Sequence, residues 1–150
     1  MFTSRSSRRK FFEPGDKQRP WTPRAVAVLA TAKHLSLADH RITAGDILLA
    51  LECGDHQVSC VFRSLGISPS VALGRPVPAS WALKRNLSSE DFDASLAGFP
   101  QLVSEEAEGM GDSHLGIEHL LLFLARVGVA GVDLPYEKIK QAWLTIMGRD

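Results

Sequence analysis

Apolar positions along this chain recur at helical spacing. Ala25, Val28, Leu29 and Ala32 lie three and four residues apart, which predicts a helix from about Pro23 to Leu35. Thr22 can accept a bond from the free amides at its start, and Pro23 suits the first position, where no N–H is needed. Thr43 opens a second helix, with Asp46 three places on to complete a capping box. Ile47, Leu48, Leu49 and Leu51 make that helix apolar on most sides, so it is expected to be buried. Val58, Val61, Phe62 and Leu65 mark a third, stopped at Gly66. Ser68-Pro69, read as cap and first position, starts a short fourth through Val71 and Leu73.

Gly74-Arg-Pro-Val-Pro-Ala-Ser80 has the composition of a linker, which continues to residue 87. Ser88 or Ser89 is then expected to start a helix with Phe92, Leu96 and Phe99 on one stripe, kinked or restarted at Pro100. Leu102, Val103 and Ala107 carry it to Gly109-Met-Gly111. Gly116-Ile-Glu-His-Leu-Leu-Leu-Phe-Leu124 opens another nearly all-apolar helix, echoing Thr43-Ala-Gly-Asp-Ile-Leu-Leu-Ala-Leu51. Tyr136, Ile139, Trp143 and Ile146 form the stripe of the last helix, closed by Gly148. No segment alternates with period two for long enough to make a strand. The prediction is an all-α fold of two pseudo-repeated halves packed as one bundle over residues 21–150. Repeat one covers 21–73, the linker 74–87 and repeat two 88–148.

Composition adds less. With 150 residues and 45% hydrophobic content the chain can bury one ordinary core. The formal net charge is zero, so no whole-molecule field points to nucleic acid or membrane. The charge is unevenly placed, however. Arg5, Arg8, Arg9, Lys10, Lys17 and Arg19 crowd residues 1–20, which Pro14-Gly15 and Pro20 also punctuate; this reads as a disordered basic arm. Between Arg85 and Arg126 there is no Lys or Arg, whereas Glu90, Asp91, Asp93, Glu105, Glu106, Glu108, Asp112 and Glu118 fall there. Such a face is solvated, and it can also recruit cationic partners or the arm itself.

The start lacks the apolar middle of a secretory signal, and no apolar run reaches the length of a membrane span. The expected location is cytoplasmic; the Ser/Arg-rich, acid-poor start is also compatible with an organellar transit segment, as for a plastid. Cys53 and Cys60 are read as reduced, mostly buried thiols. His34, His40, His56 and His114 show no metal-ligand spacing with one another or with the cysteines. No metal or other cofactor is therefore expected.

Several stretches resemble the Clp amino-terminal domain family. Trp21-Thr-Pro-Arg-Ala25, Val28-Leu29, Ala32, the run from Ile42 to Leu51 and Val61-Phe-Arg-Ser-Leu-Gly-Ile67 look like one repeat of that family. Leu115-Gly-Ile-Glu-His-Leu-Leu-Leu122 is similar to the middle of a second repeat, and Phe92-Asp-Ala-Ser-Leu96 stands where its opening belongs. The resemblance covers roughly residues 21–148. It implies a compact double helical repeat of the kind that docks substrates and adaptors at the front of ring-forming unfoldases. There are departures. No Gly-x-x-x-x-Gly-Lys-Ser/Thr loop is present to cradle ATP phosphates, so the chain carries no motor. The second half also omits most of the short helix that Val58–Leu65 fills in the first, so part of its core must close differently.

In some members of that family, the opening Thr and the Glu of Thr-Glu-His hold a phosphorylated arginine. Carried over, the first half keeps Thr22 but has Gly45 in place of the acid, and the second keeps Glu118 but has Asp93 in place of the Thr. Each half would then lack one partner, and a carboxylate facing a phosphate is repulsive, which disfavours phosphoarginine. An arginine or another cationic group near Asp93 and Glu118 stays open. Each candidate also has a structural reading: Thr22 as a cap, Glu118 as an acid at a helix start, His119 as a closure of the same entry, and Trp21 and Phe92 as core.

The reading is a non-catalytic protein-binding module, with Thr22, Asp93, Glu118, Trp21 and Phe92 as its partner-binding positions. It would act as adaptor, decoy or regulator around a Clp-type unfoldase–protease system, binding a protein or peptide partner. The alternative is a structural accessory subunit that docks on the protease ring. Nucleic-acid tethering through the arm is disfavoured by the net acidity of the rest.

Overall fold

The computed structural model describes residues 19–36, 41–53, 56–82 and 87–148. Apart from Arg19 and Pro20, the arm read over 1–20 lies outside the described residues. Among those described, the chain is all-helical: α1 (Pro23–Leu35), α2 (Ala44–Glu52), α3 (His56–Leu65), α4 (Pro69–Leu73), α5 (Phe99–Gly109), α6 (Ile117–Val127) and α7 (Tyr136–Ile146). Two short 3-10 turns, Ser89–Asp91 and Ala94–Leu96, stand between α4 and α5. Among the described residues, no helix is long and apolar enough to cross a membrane.

The expected caps form. Thr22 Oγ1 accepts the Ala25 N–H at 3.2 Å. Thr43 and Asp46 make the reciprocal box, Asp46 N–H to Thr43 Oγ1 at 3.3 Å and Thr43 N–H to Asp46 Oδ2 at 2.9 Å. Gly66 and Gly74 take left-handed φ of 68° and 65° and end α3 and α4. One cap differs. Ser68 makes no capping bond; instead Glu52, from the end of α2, accepts both the Ser70 N–H (2.9 Å) and its hydroxyl (3.2 Å). A carboxylate from a neighbouring helix thus satisfies the α4 start.

The largest correction concerns residues 88–98. The expected continuous helix is absent, and Phe92 and Asp93 are extended. Their backbone is committed elsewhere, because Ile42 N–H donates to Asp91 O and Asp93 N–H donates to Ile42 O, both at 2.8 Å. The chain turns at Gly98 (φ 75°) and α5 starts afresh, with Pro100 in the first turn, where its missing N–H costs nothing.

The two apolar helices form the centre. α2 packs on α1, α3, α4 and α6, and α6 packs on α1, α2, α5 and α7. Leu48, Leu51, Leu120, Leu121 and Leu124 are fully buried there, in a cluster that draws on residues from Ala25 to Trp143. Burial of this kind contributes about 1.5–3 kcal/mol per large apolar side chain. The described start of the linker, residues 74–82, is pinned to the helices. Trp81 Nε1–H donates to Ala50 O, Ala82 N–H to Thr31 Oγ1, and Arg75 bridges Leu35 O and the buried Asp46 carboxylate. In the second half no helix follows α6 as α3 follows α2. A tight turn through Gly128 and Gly131 (φ 86° and 84°) takes its place, burying Val129 and Leu134, and α7 then packs against both α3 and α6.

Candidate functional site

Two extended segments pair with distant parts of the chain. Trp21 bridges to Leu115, and Phe92 bridges to Ile42, each as a short parallel pairing. Thr22 N–H donates to Leu115 O at 2.9 Å and Leu115 N–H donates to Pro20 O at 2.8 Å. The same three-point pattern joins Asp91, Ile42 and Asp93. Leu115 precedes Glu118 by three residues, and Ile42 precedes Gly45 by three. Thr22 is therefore placed at the helix entry that carries Glu118, and Asp93 at the entry that carries Gly45. The expectation that each half keeps one partner of a pair is corrected accordingly: one entry keeps both Thr22 and Glu118, and the other keeps neither. The reason is a backbone pairing between distant segments, which spacing within one half does not reveal.

The aromatic candidates Trp21 and Phe92 meet on Phe99, a member of the stripe read from the sequence. Phe99 lies 5.9 Å from Trp21, 4.8 Å from Phe92 and 5.8 Å from Phe123, ring centre to ring centre. Phe92 and Phe99 are buried and Trp21 is half-buried, so the rings weld the halves together.

Phe92, Leu96, Phe99 and Pro100 also line a surface cavity of about 440 Å³, which Arg41, Asp93 and Gln101 border. Its walls come from residues on both sides of the linker, apolar within and charged at the mouth. Ser95 donates its hydroxyl and its N–H to Asp93 Oδ2, at 2.6 and 3.0 Å, and these bonds hold the Asp93 carboxyl below the usual carboxylate range, with a smaller aid from Arg41. The arrangement suits an apolar side chain that carries or adjoins a charge.

A second polar cluster lies at the start of α6. His119 is fully buried, with Nδ1 accepting the Gly116 N–H at 2.8 Å and Nε2 at 2.8 Å from Asp112 Oδ2. Burial lowers its titration below the ordinary histidine range, against the opposing pull of Asp112 and Glu118. Glu118 is 9% exposed and lies over Gly116, with His114 Nε2 3.8 Å from its Oε2. The ligand atoms of Asp112, His114, Glu118 and His119 all stand within 4.8 Å of one another. Histidine and cysteine spacing alone does not reveal this grouping. The carboxylates Asp112 and Glu118, at short spacings around His114, were the available signal.

Asp93 and Glu118 thus belong to different places, the cavity mouth and the α6 entry, and no hydrogen bond or ion pair joins them among the described residues. No protein-family model matches the chain, and no curated protein matches it.

Proposed function

We propose that this chain is a non-catalytic protein-binding module of the Clp amino-terminal type. It acts as an adaptor, decoy or regulator of a Clp-type unfoldase–protease system. The observation that carries the reading is the reciprocal pairing of Trp21 with Leu115 and Phe92 with Ile42. Each pairing joins the opening of one half to the central helix of the other, as expected of two pseudo-repeated halves that cannot bury their cores apart. That supports the double repeat on which the resemblance rests.

The cavity beside Phe92 and Phe99 is the docking position in this reading. An apolar anchor of the partner fills it, while Arg41 and Asp93 orient the partner through charge. Trp21 and Phe92 act from beneath, as support for the cavity floor.

The test is capture from the source cells by the full chain, by a chain lacking residues 1–20, and by Ala97→Trp. Ala97 is exposed at the cavity, so a large side chain there blocks it without disturbing the core. Recovery of an unfoldase, its adaptor or the protease ring by the first two, and loss with Ala97→Trp, is the expected result. Recovery of none of these, or equal recovery with Ala97→Trp, counts against the reading.

A further inference from the structure

We propose that Asp112, His114 and Glu118 form a binding site for a divalent first-row transition-metal cation such as Zn²⁺. The proposal stands apart from the docking reading, since none of these residues lines the cavity beside Phe92.

The donors are already gathered. Asp112 follows the left-handed turn at Gly111 (φ 74°), His114 comes two residues later, and Glu118 projects from the first turn of α6. Their ligand atoms lie within 4.8 Å of one another. Metal bonds of about 2.0–2.2 Å set tetrahedral ligands roughly 3.4 Å apart, so side-chain adjustment of an ångström or so closes the set. Two carboxylates and a neutral imidazole balance a 2+ charge.

Glu118 supplies an independent indication. Its residue is 9% exposed, and it makes no hydrogen bond among the described residues; its ion-pair contact is the 3.8 Å approach to His114. A carboxylate held this far out of water, with a 3.8 Å approach to one half-exposed imidazole as its ion-pair contact, gains a stronger partner in a cation. Glycine at 116 makes this placement possible, because a side chain there would occupy the same space.

His119, although nearest to Asp112, is not a ligand. Its Nδ1 accepts the Gly116 N–H, so the neutral ring carries its proton on Nε2 and donates it to Asp112. Binding a metal through Nε2 requires moving that proton to Nδ1, directly against the Gly116 N–H. His119 is instead the positioning residue that orients the Asp112 carboxylate, as outer partners of metal ligands do. The His114 side chain is 39% exposed and gives the cation its way in, leaving a fourth position for water.

Zn²⁺ titrated calorimetrically into the full chain, stripped with chelator, is expected to bind at one site per chain with micromolar affinity. Co²⁺ is expected to give the visible bands of a four-coordinate N/O site. His114→Ala and Glu118→Gln should each weaken binding at least about tenfold, the range that even outer-partner losses reach, while His34→Ala leaves it unchanged. His114 is half-exposed, so its removal keeps the fold and the test stands on that variant alone if Glu118→Gln is unstable. Absence of binding below millimolar Zn²⁺, or the same affinity in His114→Ala as in the parent, overturns the proposal.

Discussion

The Glu118 carboxylate lies where a side chain on Gly116 would begin: a Cβ added there would stand 2.0 Å from Oε1 and 3.0 Å from Cδ. Gly116 has an extended backbone (φ −111°) that any residue adopts, so its glycine answers to crowding and not to strain. Gly116→Ala must push the carboxylate aside. Overpacking costs about 1–3 kcal/mol, and the flexible end of a glutamate gives way at the low end of that range, so a loss of about 1 kcal/mol is expected in urea denaturation. Combining it with Glu118→Ala should recover most of the loss. An additive double variant would place the crowding elsewhere.

His119 joins the Gly116 N–H to the Asp112 carboxylate. Its removal strands the Gly116 N–H and takes the imidazole from Asp112 inside a fully buried site. His119→Ala should cost about 2–4 kcal/mol, combining the unsatisfied polar groups with a cavity. Hydrogen exchange offers a local check: the Gly116 amide, protected in the parent, should exchange at least tenfold faster in the variant relative to amides at the centre of α6. Unchanged protection would mean that the histidine only fills space.

Glu106 is buried between three helices and is held by Arg126 from α6 and by Tyr136 from α7, with the Arg126 guanidinium 4.6 Å over the Tyr136 ring. Burial, and then the carboxylate, push the Tyr136 phenol above its ordinary range. Tyr136→Phe removes a bond to a charged acceptor and should cost about 1.5–3 kcal/mol. Arg126→Met should cost as much, although the arginine is more than half exposed, because it leaves the Glu106 charge buried. The double variant should lose less than the sum, since the two share one acceptor. A strictly additive cycle would show that Arg126 and Tyr136 act separately.

What could be read in advance divides along local and distant interactions. The stripes of α1, α2, α3, α6 and α7 are set by residues three and four apart, and their caps by residues three apart, so they were visible. Residues 88–98 misled for a definite reason. Phe92, Leu96 and Phe99 keep helical spacing and do share a core face, but the backbone at Asp91 and Asp93 bonds to Ile42, about a third of the chain away. The same distant pairing decided which candidates share an entry. Thr22 meets the segment leading to Glu118, and no count along one half could show it. Phe99, the ring that gathers Trp21, Phe92 and Phe123, looked like one stripe residue among several.

The distant pairings carry a last consequence for folding. Trp21 finds its partner at Leu115 and Phe92 finds its own at Ile42, while α2 and α6 bury their apolar faces on one another. Neither half closes its core alone, and each has roughly the size at which a single hydrophobic core is marginal. Fragments 1–82 and 83–150, prepared separately, should show weak helical circular dichroism and no cooperative melt. Mixed in equal amounts they should regain the helicity and the melting transition of the intact chain, with a midpoint that rises with concentration. A cooperative transition in either fragment alone would show that the halves are independent folding units and that the crosswise pairing is only a late docking contact.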